Sequence, residues 1–170
     1  MQREYGEAYS PHSPAILKFK AATAMPHDEN EEAWVNSQRA VVAAYLKQAK
    51  VQHGEIAEWP AWHCQPVLAV WAIESRTAPG RVGWWAISGD VPTDYVSFAD
   101  ADHPREVARH FAKRWAELSD FMIRGERHPE SNIGTPDQWP ELGPLLQPRS
   151  NMLKDLAEDD SVWSALDERG

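Results

Sequence analysis

Val67-Leu68-Ala69-Val70-Trp71-Ala72-Ile73-Glu74-Ser75 is apolar on both alternating faces for most of its length. That is the pattern of a central strand covered on both sides. A buried helix segment has a similar signature, so its neighbours arbitrate. Ala78-Pro79-Gly80-Arg81 follows, with proline and glycine where a type II turn wants them. Val82-Gly83-Trp84-Trp85-Ala86-Ile87-Ser88 is then the returning strand, with Trp84 and Trp85 pointing to opposite faces. A third strand is predicted over Tyr95 to Phe98. A short one is predicted over Ile56 to Trp59, ended by Pro60.

Helices flank this region. Asp28 and Glu31 have the spacing of a capping box, and Glu29 and Glu32 add negative charge where a helix start favours it. Trp34, Gln38, Val41, Tyr45 and Ala49 recur at helical spacing, and Val35, Val42 and Leu46 widen the stripe. A helix is predicted from about residue 30 to about residue 50. A second is predicted over about 104 to 124, opened by Pro104 with Asp102 or His103 as its cap. Val107, Phe111, Trp115, Leu118 and Phe121 or Met122 form its buried side. Beyond 127 the prolines at 129, 136, 140, 144 and 148 predict only short helical pieces in an otherwise irregular segment. The order helix, antiparallel strands, helix, irregular tail reads as α+β: a small antiparallel sheet with helices packed on it. Three regions are expected: an N-terminal arm or extension over 1–24, an α+β core over 25–126, and an acidic, proline-containing C-terminal segment over 127–170 packed on the core.

The 170 residues suit one domain with tails. The formal charge is -9, and 127–170 carries nine acidic residues against four basic ones. A sequence-independent nucleic-acid binder needs a basic surface, so that class is disfavoured. No stretch approaches the length of an apolar membrane span. The lone Cys64 forms no internal disulfide framework, and Ala22-Thr23-Ala24 lacks the apolar segment of a signal peptide before it, so a cytoplasmic location is expected.

Candidate chemistry is sparse. Cys64 follows His63, but neighbours on an extended segment point in opposite directions, so His63 is poorly placed to activate it. Asp90, Asp94 and His103 are the candidates for acid–base or metal chemistry, with Trp84 or Trp85 walling the pocket. Their spacing fits neither a calcium loop nor a zinc helix, and aspartates also form turns for local hydrogen-bonding reasons. No Walker A, dinucleotide-binding or nucleophile-elbow motif is present, and no cofactor is expected. Of nine tryptophans, Trp34, Trp71, Trp84 and Trp115 fall on buried stripes. Trp59, Trp62, Trp139 and Trp163 are the candidates for a binding surface, or equally for covers over the core.

Gly83-Trp84-Trp85-Ala86-Ile87-Ser88-Gly89-Asp90, continuing through Pro92-Thr93-Asp94-Tyr95, resembles the central motif of a small family of uncharacterised bacterial proteins, a domain of unknown function. Glu58-Trp59-Pro60-Ala61-Trp62 and Trp71-Ala72-Ile73-Glu74-Ser75 belong to the same pattern, and the likeness covers roughly residues 28 to 125. It implies no activity and no catalytic residues. It directs attention to the polar groups at the end of an apolar strand: Trp85, Ser88, Asp90, Asp94 and Tyr95.

Size, charge and the lack of a catalytic constellation lead to the expectation of a non-catalytic interaction protein with a basic protein partner, such as an immunity-type inhibitor of a toxic enzyme. Its expected contact region is the acidic tail, Glu158, Asp159 and Asp160, with Trp139 and Trp163 as anchors. The alternatives are a small enzyme using Asp90, Asp94 and His103, and a tryptophan-lined ligand binder.

Overall fold

The computed structural model describes residues 28–131 and 133–167. The arm expected over 1–24 lies outside them. The described chain forms two compact units that meet in sequence at Pro104 and Arg105.

The first unit begins with α1, Glu29–Gln48. Asp28 caps it by accepting the Asn30 N–H at 3.2 Å, and Glu29, Glu31 and Glu32 stand in the first turn, where the helix dipole favours anions. Its C-terminus is a full Schellman motif: the Val51 N–H donates to Leu46 O and the Lys50 N–H to Lys47 O. Lys50 takes the left-handed position at φ 57°, where glycine is the unstrained choice. Lys50→Gly is therefore expected to raise stability by about 0.5–1 kcal/mol, read from the urea midpoint.

Four strands follow: β1 Trp62–Cys64, β2 Leu68–Glu74, β3 Val82–Gly89 and β4 Asp94–Ser97. They form an antiparallel sheet in the order β1-β2-β3-β4. Gly80 at φ 80° and an Arg81 N–H to Ala78 O bond of 3.1 Å make the expected turn between β2 and β3. All of β2 except Glu74 is buried, as a central strand with apolar residues on both faces should be. Residues 56–59 are not a strand: Ile56 makes a single bridge to Ile73, and the pairing strand starts only after Pro60. The helix-facing core joins Val35, Val42 and Leu46 of α1 to Ile56, Ala69, Trp71, Ile73 and Ala86. Val41, expected on the buried stripe, is 44% exposed. Arg39 of α1 ties the helix to the loop before β1 by donating to Ile56 O at 2.7 Å and Ala57 O at 3.0 Å.

The second unit holds α2, Pro104–Ile123, apart from its first residue, with α3, Trp139–Glu158, and α4, Asp160–Asp167. The expected buried side of α2 is observed at Val107, Phe111, Trp115, Leu118 and Met122. Residues 127–131 and 133–138 are irregular as expected, but 139–158 and 160–167 are helical, which corrects the reading of short pieces. Pro140 sits in the first turn of α3, where no N–H is missed. Pro144 and Pro148 each follow four residues on. All three are exposed, so the two carbonyls that lose their helical donors face water.

The opposite side of α3 carries Gly143, Leu146, Ser150, Leu153 and Ala157, all buried. There Ser119 Oγ donates to Gly143 O at 2.7 Å, Ser150 Oγ donates to Ala112 O at 2.7 Å, and a Cβ on Gly143 would lie 3.2 Å from Met122 Cβ. These bonds join α2 to α3, and both helices belong to the second unit but for Pro104.

Candidate functional site

The residues expected to form a site are divided between the units: Trp85, Ser88, Asp90, Asp94, Tyr95 and His103 in the first, Trp139, Glu158, Asp159, Asp160 and Trp163 in the second.

In the first unit most of them serve the fold. Ser88 is fully buried and its Oγ accepts the Trp71 Nε1–H at 3.0 Å. Trp85 is 2% exposed and stacks on Phe98 with ring centres 6.4 Å apart. Asp94 Oδ1 accepts the Tyr45 hydroxyl at 3.2 Å and the Tyr95 N–H at 2.8 Å, and Tyr95 packs against both Tyr45 and Trp84. Asp94 thus anchors β4 to α1. Asp90 is exposed in the turn after β3, and its N–H donates to Val67 O. His103 is half-buried directly before α2.

Glu74 is a second anchor. Its carboxylate accepts the Gly80 N–H at 2.6 Å and the Glu55 N–H at 3.1 Å, clasping the β2–β3 turn to the loop after α1. The Gly80 bond, then the Glu55 bond, hold this carboxyl below its ordinary pKa, against a smaller opposing effect of desolvation. A carboxylate with a lowered folded pKa stabilises the fold above its unfolded value, about 4.3, and the contribution fades as pH falls through the folded value. Glu74→Gln is therefore expected to lower the urea midpoint at neutral pH, with the gap to the parent narrowing below about pH 4.

One cluster joins Trp59 and Trp62, two of the tryptophans expected as candidates for a binding surface, to Glu31, Trp34 and His63, which are not among the expected site residues. His63 of β1 bonds through Nε2 to Glu31 Oε1 of α1 at 2.7 Å. Its ring stacks on Trp34 at 6.0 Å and meets Trp59 in a T-shaped contact at 5.8 Å. Gln65 Nε2 reaches Asn30 O at 3.5 Å, and Cys64 beside it is exposed. Glu31, Trp34, Trp59, Trp62 and His63 are all half-buried, so an aromatic and acidic patch stands at the edge strand of the sheet. The capping-box position of Glu31 and the Trp-Pro-Ala-Trp-His run were both visible in the sequence. Their meeting across 32 residues was not.

In the second unit Trp163 is fully buried and donates to Leu156 O at 2.9 Å. Trp139 is 9% exposed and donates to Ile133 O at 3.2 Å. Neither indole is presented on a surface, which corrects their assignment as anchors: both are bound into the packing around α3. Glu158, Asp159 and Asp160 are exposed as expected. Asp159 accepts the Ser161 N–H and hydroxyl at the start of α4. Arg105 donates to Ala157 O at 2.7 Å and to Asp160 at 2.5 Å. A depression lined by Phe121, His128, Ser131 and Trp139, among others, has a volume of ≈ 10 Å³, room for about one water. Among the described residues no group of three or more His, Cys, Asp or Glu is arranged to hold a metal ion.

The sheet, its helix and the helical unit define an α+β protein. The chain belongs to the family described as a domain of unknown function (DUF4826), which matches residues 28–163. The match runs past residue 125, through α3 and as far as Trp163 of α4, so the proline-containing segment is part of the family's domain. No curated protein and no solved structure matches the chain. Among the described residues no helix is long and apolar enough to cross a membrane.

Proposed function

We propose that the chain is a non-catalytic cytoplasmic protein that docks through its acidic exterior onto a basic protein partner, in the manner of an immunity-type inhibitor covering a toxic enzyme. The observation that carries this reading is the placing of Glu158, Asp159 and Asp160, all exposed, at the junction of α3 and α4. Glu158 stands at the negative pole of α3, and no lysine or arginine is in that helix's last turn. Of the three, Glu158 opposes the dipole of α3, by about 0.3–1 kcal/mol less the discount for solvent, whereas Asp159 caps the Ser161 N–H and Asp160, paired with Arg105, opens α4, where the helix start favours a carboxylate. Three exposed carboxylates in a row give this junction a negative field open to a partner. A field of one sign also speeds the approach of a partner of the other.

The test is affinity capture from the native cell with the full chain as bait, followed by mass spectrometry. The expected result is one basic protein retained in near-equal amount with the bait and released by moderate salt. Retention of no basic protein would reject the reading.

A further inference from the structure

We infer that the partner is gripped at the edge of the sheet, on the patch around His63, and that the patch fits a lysine- or arginine-bearing protein surface. The inference rests on the proposed function and assigns its contact to a place that reading did not include.

A protein interface needs aromatic anchors inside a polar rim. The helical unit does not present Trp139 or Trp163, since both are buried. The edge of the first unit does present indoles. Trp34 and Trp59 pack on the core with part of their surface open, Trp62 lies on the edge strand β1, and His63 is wedged between the first two. The Glu31 bond fixes His63, and with it the position of β1 relative to the start of α1.

The charge around this patch is one-sided. Residues 28–38 carry Asp28, Glu29, Glu31 and Glu32, and residues 56–68, which hold Trp59, Trp62 and His63, carry Glu58. Neither segment contains a lysine or arginine. Arg39, the first cation after Asp28, is turned onto the carbonyls of Ile56 and Ala57. Glu29, Glu32 and Glu58 are exposed. Indole faces with surrounding carboxylates suit a guanidinium or ammonium group, which gains from both the ring and the charge. A partner of the same acidic sign as this chain would be repelled, so a second copy does not fit.

The experiment compares three full-length baits: the parent, a face variant with Glu29→Gln, Glu32→Gln and Glu58→Gln, and a tail variant with Glu158→Gln, Asp159→Asn and Asp160→Asn. The substituted side chains are exposed, and circular dichroism checks that each bait folds. The probe is the basic protein captured by the parent. The face variant is expected to retain at least threefold less of it. In the purified parent complex, amide exchange in 28–34 and 59–65 is expected to slow. A loss under threefold, or unchanged exchange in both segments, overturns the assignment while leaving the proposed function standing. Capture of no basic protein by the parent overturns the proposed function, and the assignment with it.

Discussion

Gly89→Ala is expected to lower the free energy of unfolding by about 3 kcal/mol or more, a fall in Tm of roughly 6–12 °C. Gly89 ends β3 with φ at +125°, a backbone conformation that side chains rarely adopt. A Cβ there would lie 2.4 Å from Val67 O and 2.8 Å from Val67 C. Both are backbone atoms, and Val67 O also accepts the Asp90 N–H at 2.9 Å, so neither side of the contact has a rotamer to change. Gly125→Ala is the control. Gly125 closes α2 in a Schellman motif at φ 68°, and nothing lies within 4 Å of its missing Cβ. Its cost is conformational alone, about 1 kcal/mol. Thermal unfolding of both variants measures the difference, and equal effects would show that the Val67–Gly89 approach is looser than described.

Trp163→Ala is expected to cost about 3–5 kcal/mol, the range for emptying a fully buried aromatic site, with a lost hydrogen bond to Leu156 O besides. A tryptophan acting as a surface anchor would behave in the opposite way, leaving stability alone and reducing partner binding. Urea unfolding followed by circular dichroism separates the two. A change in stability under about 1 kcal/mol would return Trp163 to the surface.

Elements written in local pattern were legible. The helical spacing of Val35, Val42 and Leu46, the proline and glycine of the β2–β3 turn, and the Val107-to-Met122 stripe each name their element before any contact is known. The third strand was legible to within a residue. Each proline of the tail, taken singly, predicts a break in a helix. Spaced by four residues they share one helix face, and that face is exposed, while Gly143, Leu146, Ser150, Leu153 and Ala157 spell the buried face between them. Their spacing was the signal that α3 is continuous and that the neighbouring indoles serve packing.

The candidate site was legible only in part. Ser88 and Asp94 stood out as polar residues at the ends of apolar strands. Their partners, Trp71 and Tyr45, turn that polarity into internal hydrogen bonds. The His63 patch depends on α1 and β1 meeting through Glu31, a long-range contact that no local period encodes. Reading His63 only against Cys64, its neighbour in the chain, pointed away from it.

The most direct measurement is the association rate of the purified partner with the full chain as ionic strength is raised about tenfold from a low-salt buffer. Docking through an acidic exterior predicts a rate that falls by about tenfold or more, because salt screens the attraction that guides the encounter. A rate unchanged across that range would contradict it.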